Sequence, residues 1–284
     1  MRPAGWALEL FLLAAGCIDF DGLSSQYHGG GSGGGSGGSG GGGAGGSGGS
    51  GGSGGPCANT PEMIQVPAGP FLMGCAAQDA ECGPEERPQH MVMLSSFFID
   101  RTEVTQSEYA QCVTAGVCAV PCAWAPSMYP NLPVVCVTWM QASQFCTWKG
   151  KRLPTEAEWE KAARGTDGRI FPWGTGIDCM HANYDGCPTM GDFVNAGTLP
   201  LGASFYCATE MSGNVAEYVH DWYDPNYYSS TSSWTDPQGP ASSPTIYRSV
   251  RGGSVLNPAS MLRTSARQGF DPGAYGSIGF RCAG

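Results

Sequence analysis

The chain has 284 residues, 45 of them glycine and 13 cysteine, and a net charge of −10. It shows no basic patch, which argues against a nucleic-acid partner. An acidic balance suits solubility or cation binding, and twelve cysteines after residue 56 are too many for an ordinary reduced cytosolic domain.

Arg2 is followed by a short apolar run, residues 8–16, and then by Cys17. The pattern is that of a bacterial lipoprotein signal, 1–17, with Cys17 as the lipidated residue. The run is too short to span a bilayer stably, so the expected membrane link is the lipid alone. The alternative is a cleaved secretory signal. Residues 29–55 contain only Gly, Ser and Ala44. They cannot bury enough apolar surface to offset the entropy of ordering. Residues 18–56 are therefore expected to be a disordered linker, and its Gly/Ser run, 29–55, a tether with an r.m.s. span of roughly 30 Å.

Residues 57–284 are rich in Trp, Tyr, Phe and Met, enough for one core. Residues 63–73 predict strand, Pro-Gly turn, strand. Residues 91–100 predict a further strand. Thr105 and Glu108 form a capping box at a helix start. Thr138 caps a second helix from Trp139 to Lys149, stopped by Gly150. Thr155 and Glu158 open a third, which ends before Gly165. Beyond it, Gly, Pro, Asn and aromatics dominate, with short strands near 215–219, 249–255 and 278–282. The even cysteine count after residue 56 predicts up to six disulfides. Cys75–Cys82, Cys112–Cys118 and Cys179–Cys187 are plausible short-range pairs.

Several segments taken in order carry a resemblance. They include Val66-Pro67-Ala68-Gly69 through Met73-Gly74, Asp100 through Thr105 with Tyr109, and Pro133 through Trp139. Phe145-Cys146 follows, then the long run from Gly150 to Glu160. Further on come Phe171-Pro172-Trp173-Gly174, Met211 through Glu217 with Asp221-Trp222, Arg251-Gly252-Gly253-Ser254 and Gly279-Phe280-Arg281-Cys282. Together they resemble the sulfatase-modifying factor (formylglycine-generating enzyme) family. The resemblance implies an α+β, C-type-lectin-like fold with little regular structure, and a Cys146–Cys282 disulfide.

It also implies an oxidase with two copper-binding cysteines, soft ligands for Cu(I). The matching positions hold Asn257 and Leu262, and no cysteine lies between Cys207 and Cys282. Copper and oxidase chemistry are therefore not expected, although a sulfatase-maturation or divergent oxidoreductase activity stands as the alternative. Histidines at 28, 90, 181 and 220 have no metal-ligand spacing, and no GxSxG elbow is present.

Calcium is the cofactor the resemblance implies, bound by hard oxygen donors. One set matches Glu210, Gly213, Val215 and Glu217. The other matches Asn183, Tyr184 and Asp192, with Asp185 as competitor. The segment 255–276 lies where the family places its substrate groove. Asn257, Ser260, Arg263, Arg267, Phe270 and Tyr275 there suit a peptide or glycan ligand. Arg263 and Arg267 could instead serve internal ion pairs. The expectation is a monomeric, extracytoplasmic, lipid-anchored binding module.

Overall fold

The computed structural model describes Cys57 and residues 60–284, apart from residues 190 and 231–233. The expectations for the signal, Cys17 and the tether lie outside the described residues. No described helix is long and apolar enough to cross a membrane.

The domain has mixed α and β structure with long irregular connections. Strands β1 (Met63–Val66) and β2 (Gly69–Met73) form as expected but do not pair with each other. β1 pairs antiparallel with β4 (Phe97–Asp100), and β2 with β3 (His90–Leu94). The single strand expected over 91–100 is thus two. The break falls at Ser95, whose N–H and hydroxyl both donate to the Asp236 carboxylate.

Three helices follow. In α1 (Gln106–Thr114) the Glu108 N–H donates to Thr105 Oγ1 and the Thr105 N–H to Glu108 Oε2. The same box built from Thr138 and Gln141 opens α2 (Trp139–Trp148). Thr155 and Glu158 open α3 (Glu156–Arg164), and Gly165, at φ +68°, ends it. Each such cap satisfies amides a helix start leaves free, for about 1 kcal/mol.

The last third holds a four-stranded sheet ordered β7-β6-β5-β8. β5 (Ala216–Trp222) runs antiparallel to β6 (Arg248–Arg251) and parallel to β8 (Ile278–Gly279). β6 stops at Arg251 rather than running to 255, because Gly252 and Gly253 take φ +85° and +65° and turn the chain away. β7 (Arg267–Phe270) was not expected from the sequence. A helical turn, α4 (Tyr227–Ser230), lies between β5 and β6.

Six disulfides tie these pieces together. The three short-range pairs and Cys146–Cys282 form as expected. Cys57–Cys207 and Cys122–Cys136 complete the set. Disulfides in this number suit an oxidising compartment.

Two apolar clusters form the core. One packs Ile64, Val66, Val92 and Ile99 against Trp159 and the alanines of α3. The other packs Tyr109, Phe145, Tyr218 and Phe280 between α1, α2 and the large sheet. All nine residues of α3 are buried, charged ones included. Lys161 donates to the carbonyls of Pro67 and Gly69, and Arg164 to those of Leu72 and Gly74. Glu160 accepts from Arg251 at 2.5 Å and pairs with Arg164 at 3.0 Å. These charges fasten β2 and β6 to the helix.

Candidate functional site

The segment after Arg251 runs from the end of β6 into β7 and forms one wall of a cleft of about 640 Å3. Ser260, Met261 and Phe270 face it from this side. Tyr223 and Tyr247 line it near the ends of β5 and β6, and Glu81 and Glu85 line the opposite wall.

Of the residues expected to meet a ligand, Ser260 and Phe270 line the cleft. Tyr275 stands behind Phe270, ring edge to ring face at 5.7 Å. Asn257 braces its own turn: its Oδ1 accepts from the Ser254 N–H and hydroxyl, both at 2.9 Å. Its carbonyl accepts from the Asp185 N–H.

Arg263 and Arg267 line the cleft, but their charge is internally committed. Arg263 donates to Asp79 at 2.8 Å and to both oxygens of Glu86 at 2.6 and 2.8 Å. Arg267 grips Glu156 through Nε at 2.8 Å and Nη2 at 2.7 Å. The partners are buried carboxylates far away in sequence, so the ion-pair alternative describes both arginines. The cleft's remaining charge is acidic, from Glu81 and Glu85.

The two positions matched to the oxidase cysteines carry no donor aimed at the cleft. Leu262 is fully buried and packs with Phe171 and Ala182. All twelve cysteines of the domain are in disulfides, so the described residues hold no free thiol.

The turn 210–217 carries the first set of expected calcium donors. Its backbone is constrained: Glu210, Gly213 and Asn214 all have φ between +50° and +83°. A Cβ on Gly213 would sit 2.4 Å from the Asn183 carbonyl oxygen. That carbonyl accepts from the Asn214 N–H at 2.8 Å, so the two loops assigned to calcium touch here. Gly213→Ala is therefore expected to destabilise the domain by about 2 kcal/mol or more, read as a lowered urea midpoint at unchanged m-value.

Glu217 does not fit the role of a calcium ligand in this arrangement. Its Oε1 accepts from Arg281 Nε at 3.0 Å and Nη2 at 2.7 Å. Its Oε2 accepts from Arg281 Nε and Trp159 Nε1, both at 2.8 Å. Three N–H groups thus point at the carboxylate, with the Arg281 Nε–H shared between its two oxygens, and its charge is committed to Arg281. Glu210 accepts one N–H on each oxygen, from Gly197 and Leu199 at 2.9 Å, which leaves capacity.

A residue not singled out from the sequence completes the cluster. Glu103 is fully buried, and its carboxylate is approached by Asn214 Nδ2 at 3.1 Å. Burial, then the charges of Glu210 and Glu217, push its pKa well above the ordinary carboxylate range. Three carboxyls thus surround the single Arg281 guanidinium. That leaves an excess of carboxyl over guanidinium groups, the kind of site at which a proton or a hard cation is stabilised.

In the second set, Asn183 Nδ2 donates to the Asp192 carbonyl at 2.8 Å, and its Oδ1 accepts from Thr189. The Tyr184 carbonyl accepts from the Cys187 N–H. The Asp192 side chain is exposed.

The model of the sulfatase-modifying factor enzyme 1-like domain matches residues 53–284. The formylglycine-generating enzyme of Streptomyces coelicolor is 31% identical, over 79% of this chain and 90% of its own length. Serine/threonine-protein kinase pkn1 of Chlamydia caviae is 33% identical over 78% of this chain, which spans only 38% of that relative. Among solved structures, PvdO from Pseudomonas aeruginosa is similar with a TM-score of 0.64 and 28% identity, covering 78% of this chain and 94% of the other. The chain belongs to the sulfatase-modifying factor family, with its C-type-lectin-like fold.

Proposed function

We propose that the domain is an extracytoplasmic binding module, tethered to the cell envelope through Cys17, that has kept the family scaffold without formylglycine-generating activity. The observation that carries this reading is the state of its cysteines. Asn257 and Leu262 occupy the family's thiol positions, and every cysteine of the domain is spent in a disulfide. Oxidation through a copper–dithiolate centre needs thiolates, and the cleft offers none.

The cleft favours a peptide over a glycan. Tyr223, Tyr247 and Phe270 provide aromatic surface, and the charge not already paired comes from Glu81 and Glu85. A peptide with a basic side chain would place its cation between carboxylates and ring faces.

Calcium is the stabilising ion in this reading. The acidic excess at Glu103 and Glu210 supports it, with the carbonyls of Gly213 and Val215 as further oxygen donors. Glu217 serves Arg281 instead.

Incubation of the mature protein with copper and a Cys-x-Pro-x-Arg peptide is expected to yield no aldehyde by mass spectrometry. The same peptide is expected to bind, and Phe270→Ala to weaken it by about tenfold. Turnover of the peptide would overturn the reading and favour the sulfatase-maturation alternative. Calcium after chelation is expected to raise the thermal midpoint, by about 4–8 °C per kcal/mol for a small domain and less for one this size.

A further inference from the structure

Away from the cleft, the start of α2 and the strands β5 and β6 enclose a second pocket of about 460 Å3. Its principal polar feature is Arg248. The guanidinium lies between the indoles of Trp139 and Trp222, 3.5 Å from each ring centroid. Both rings are held independently of it. Trp222 is the cross-strand neighbour of Arg248 in the β5–β6 register. Trp139 is fixed by donation from its Nε1 to the Val219 carbonyl at 2.7 Å.

Arg248 differs from the arginines that organise the core. Arg164, Arg251, Arg263, Arg267 and Arg281 each meet a carboxylate. Arg248 forms no ion pair among the described residues. Its Nη1 donates to the His220 carbonyl at 2.8 Å, and its Nε has no partner there. The acid that would balance it, Asp221, is buried, and burial and the Glu156 charge push its pKa up to about 8. At neutral pH that carboxyl is largely protonated. Gly239 packs against it so closely that a Cβ would lie 2.5 Å from Asp221 Oδ1, which closes the pocket wall over the neutral acid.

A half-buried cation without a counter-charge attracts an anion. With both faces covered by indole, the guanidinium can be approached only along its edge. Its N–H groups lie in one plane, and the planar oxyanion that matches such an edge is a carboxylate. The stack also fixes the side chain in advance, so little rotamer entropy is lost on binding. His220, Gly239 and Pro240 give the rest of the wall a largely uncharged character, since burial and the Arg248 charge hold the His220 pKa below its usual value.

We infer that this pocket binds a small carboxylate-bearing ligand, the size of one sugar or one amino acid, with the carboxylate on the edge of Arg248. The inference does not rest on the peptide cleft, and either site can fail without the other.

Trp139 and Trp222 report on the pocket directly. The mature protein is titrated with sodium glucuronate and, separately, with sodium N-acetylglycinate, at constant ionic strength, following tryptophan fluorescence. Sodium chloride and glucose are the controls. Saturable quenching by both carboxylates supports the site. Saturation by glucuronate alone supports it and assigns a sugar acid, and by N-acetylglycinate alone an amino-acid carboxylate. Arg248→Lys keeps the charge and loses the planar fork, so affinity is expected to fall about tenfold. Should that variant not fold, Trp139→Phe, which loosens the stack, is expected to weaken binding by a smaller factor. No saturation by either carboxylate, an equal response to chloride or glucose, or full affinity in a folded Arg248→Lys protein would overturn the inference.

Discussion

Replacing Glu156 by Gln is expected to cost the domain about 3–5 kcal/mol, a large part of the stability of an ordinary domain. Glu156 is 1% exposed and receives Arg267 twice, Arg251 at 3.2 Å and Ser249 at 3.2 Å. Burial acts to raise its pKa, yet Arg267 and Arg251 hold it below the ordinary value. The amide keeps the shape and removes the charge. Arg267 would then lose the carboxylate it pairs with, and Arg251 would be left with Glu160, which already serves Arg164. The damage would spread because these arginines anchor β6 and β7 to α3. Urea unfolding is the measurement. Asp167→Asn provides the contrast: Asp167 pairs with Arg169 while 59% exposed, and losing it is expected to cost no more than about 1 kcal/mol. Equal effects for the two substitutions would show that the buried network does not hold the domain together.

The sequence reveals the local half of this design. Thr105 with Glu108 and Thr155 with Glu158 mark helix starts because a cap is a contact across three residues. Cysteines six to eight residues apart pair as expected because a short loop brings them together. Cys57–Cys207 spans 150 residues, and no local signal selects that partner. The charges of α3 are the sharper case. Glu-Ala-Glu-Trp-Glu-Lys-Ala-Ala-Arg reads as a solvated helix, and Glu160 with Arg164 even forms an i,i+4 pair. Glu156 and Glu160 meet Arg251 and Arg267 more than 90 residues away, so spacing along the chain cannot show that these charges are buried. The same blindness made Glu217 look like a metal ligand, since Arg281 reaches it across 64 residues. It also made Arg263 and Arg267 look free to bind. β7 escaped notice because Arg-Gln-Gly-Phe has no apolar alternation, and its order comes from pairing with β6.

What the family scaffold has lost is narrow compared with what it keeps. The Glu217–Arg281–Trp159 cluster, the buried α3 and the Cys146–Cys282 link do not depend on thiols at 257 and 262. Leu262 fills its place with apolar packing, and Asn257 fills its own with hydrogen bonds to Ser254. The fold around positions 257 and 262 is therefore satisfied without thiols there.

The contribution of Asp221 to stability is expected to fall as pH rises from about 4 to about 8. Its carboxyl is 3% exposed. Burial and the Glu156 charge push its pKa up to about 8. Unfolding returns it to an ordinary value near 3.9. Between those limits the folded state holds a proton that the unfolded state releases. Its contribution is complete below the unfolded value and is lost as pH climbs through the folded one, by ~1.4 kcal/mol per pH unit. Asp221→Asn removes the titration and keeps an oxygen for the Glu156 N–H, which donates to Oδ2 at 2.8 Å in the native protein. The two proteins should be similar in stability near pH 4 and diverge above it, with the variant the more stable at pH 8. Other groups tilt both curves alike. Glu103 acts in the same direction as Asp221, and His90 and His220, whose pKa values burial lowers, destabilise the fold as pH drops below about 6.5. The difference between the curves isolates Asp221. Urea midpoints measured from pH 5 to 9 decide the matter, and parallel curves would show that the Asp221 carboxyl titrates as an ordinary acid.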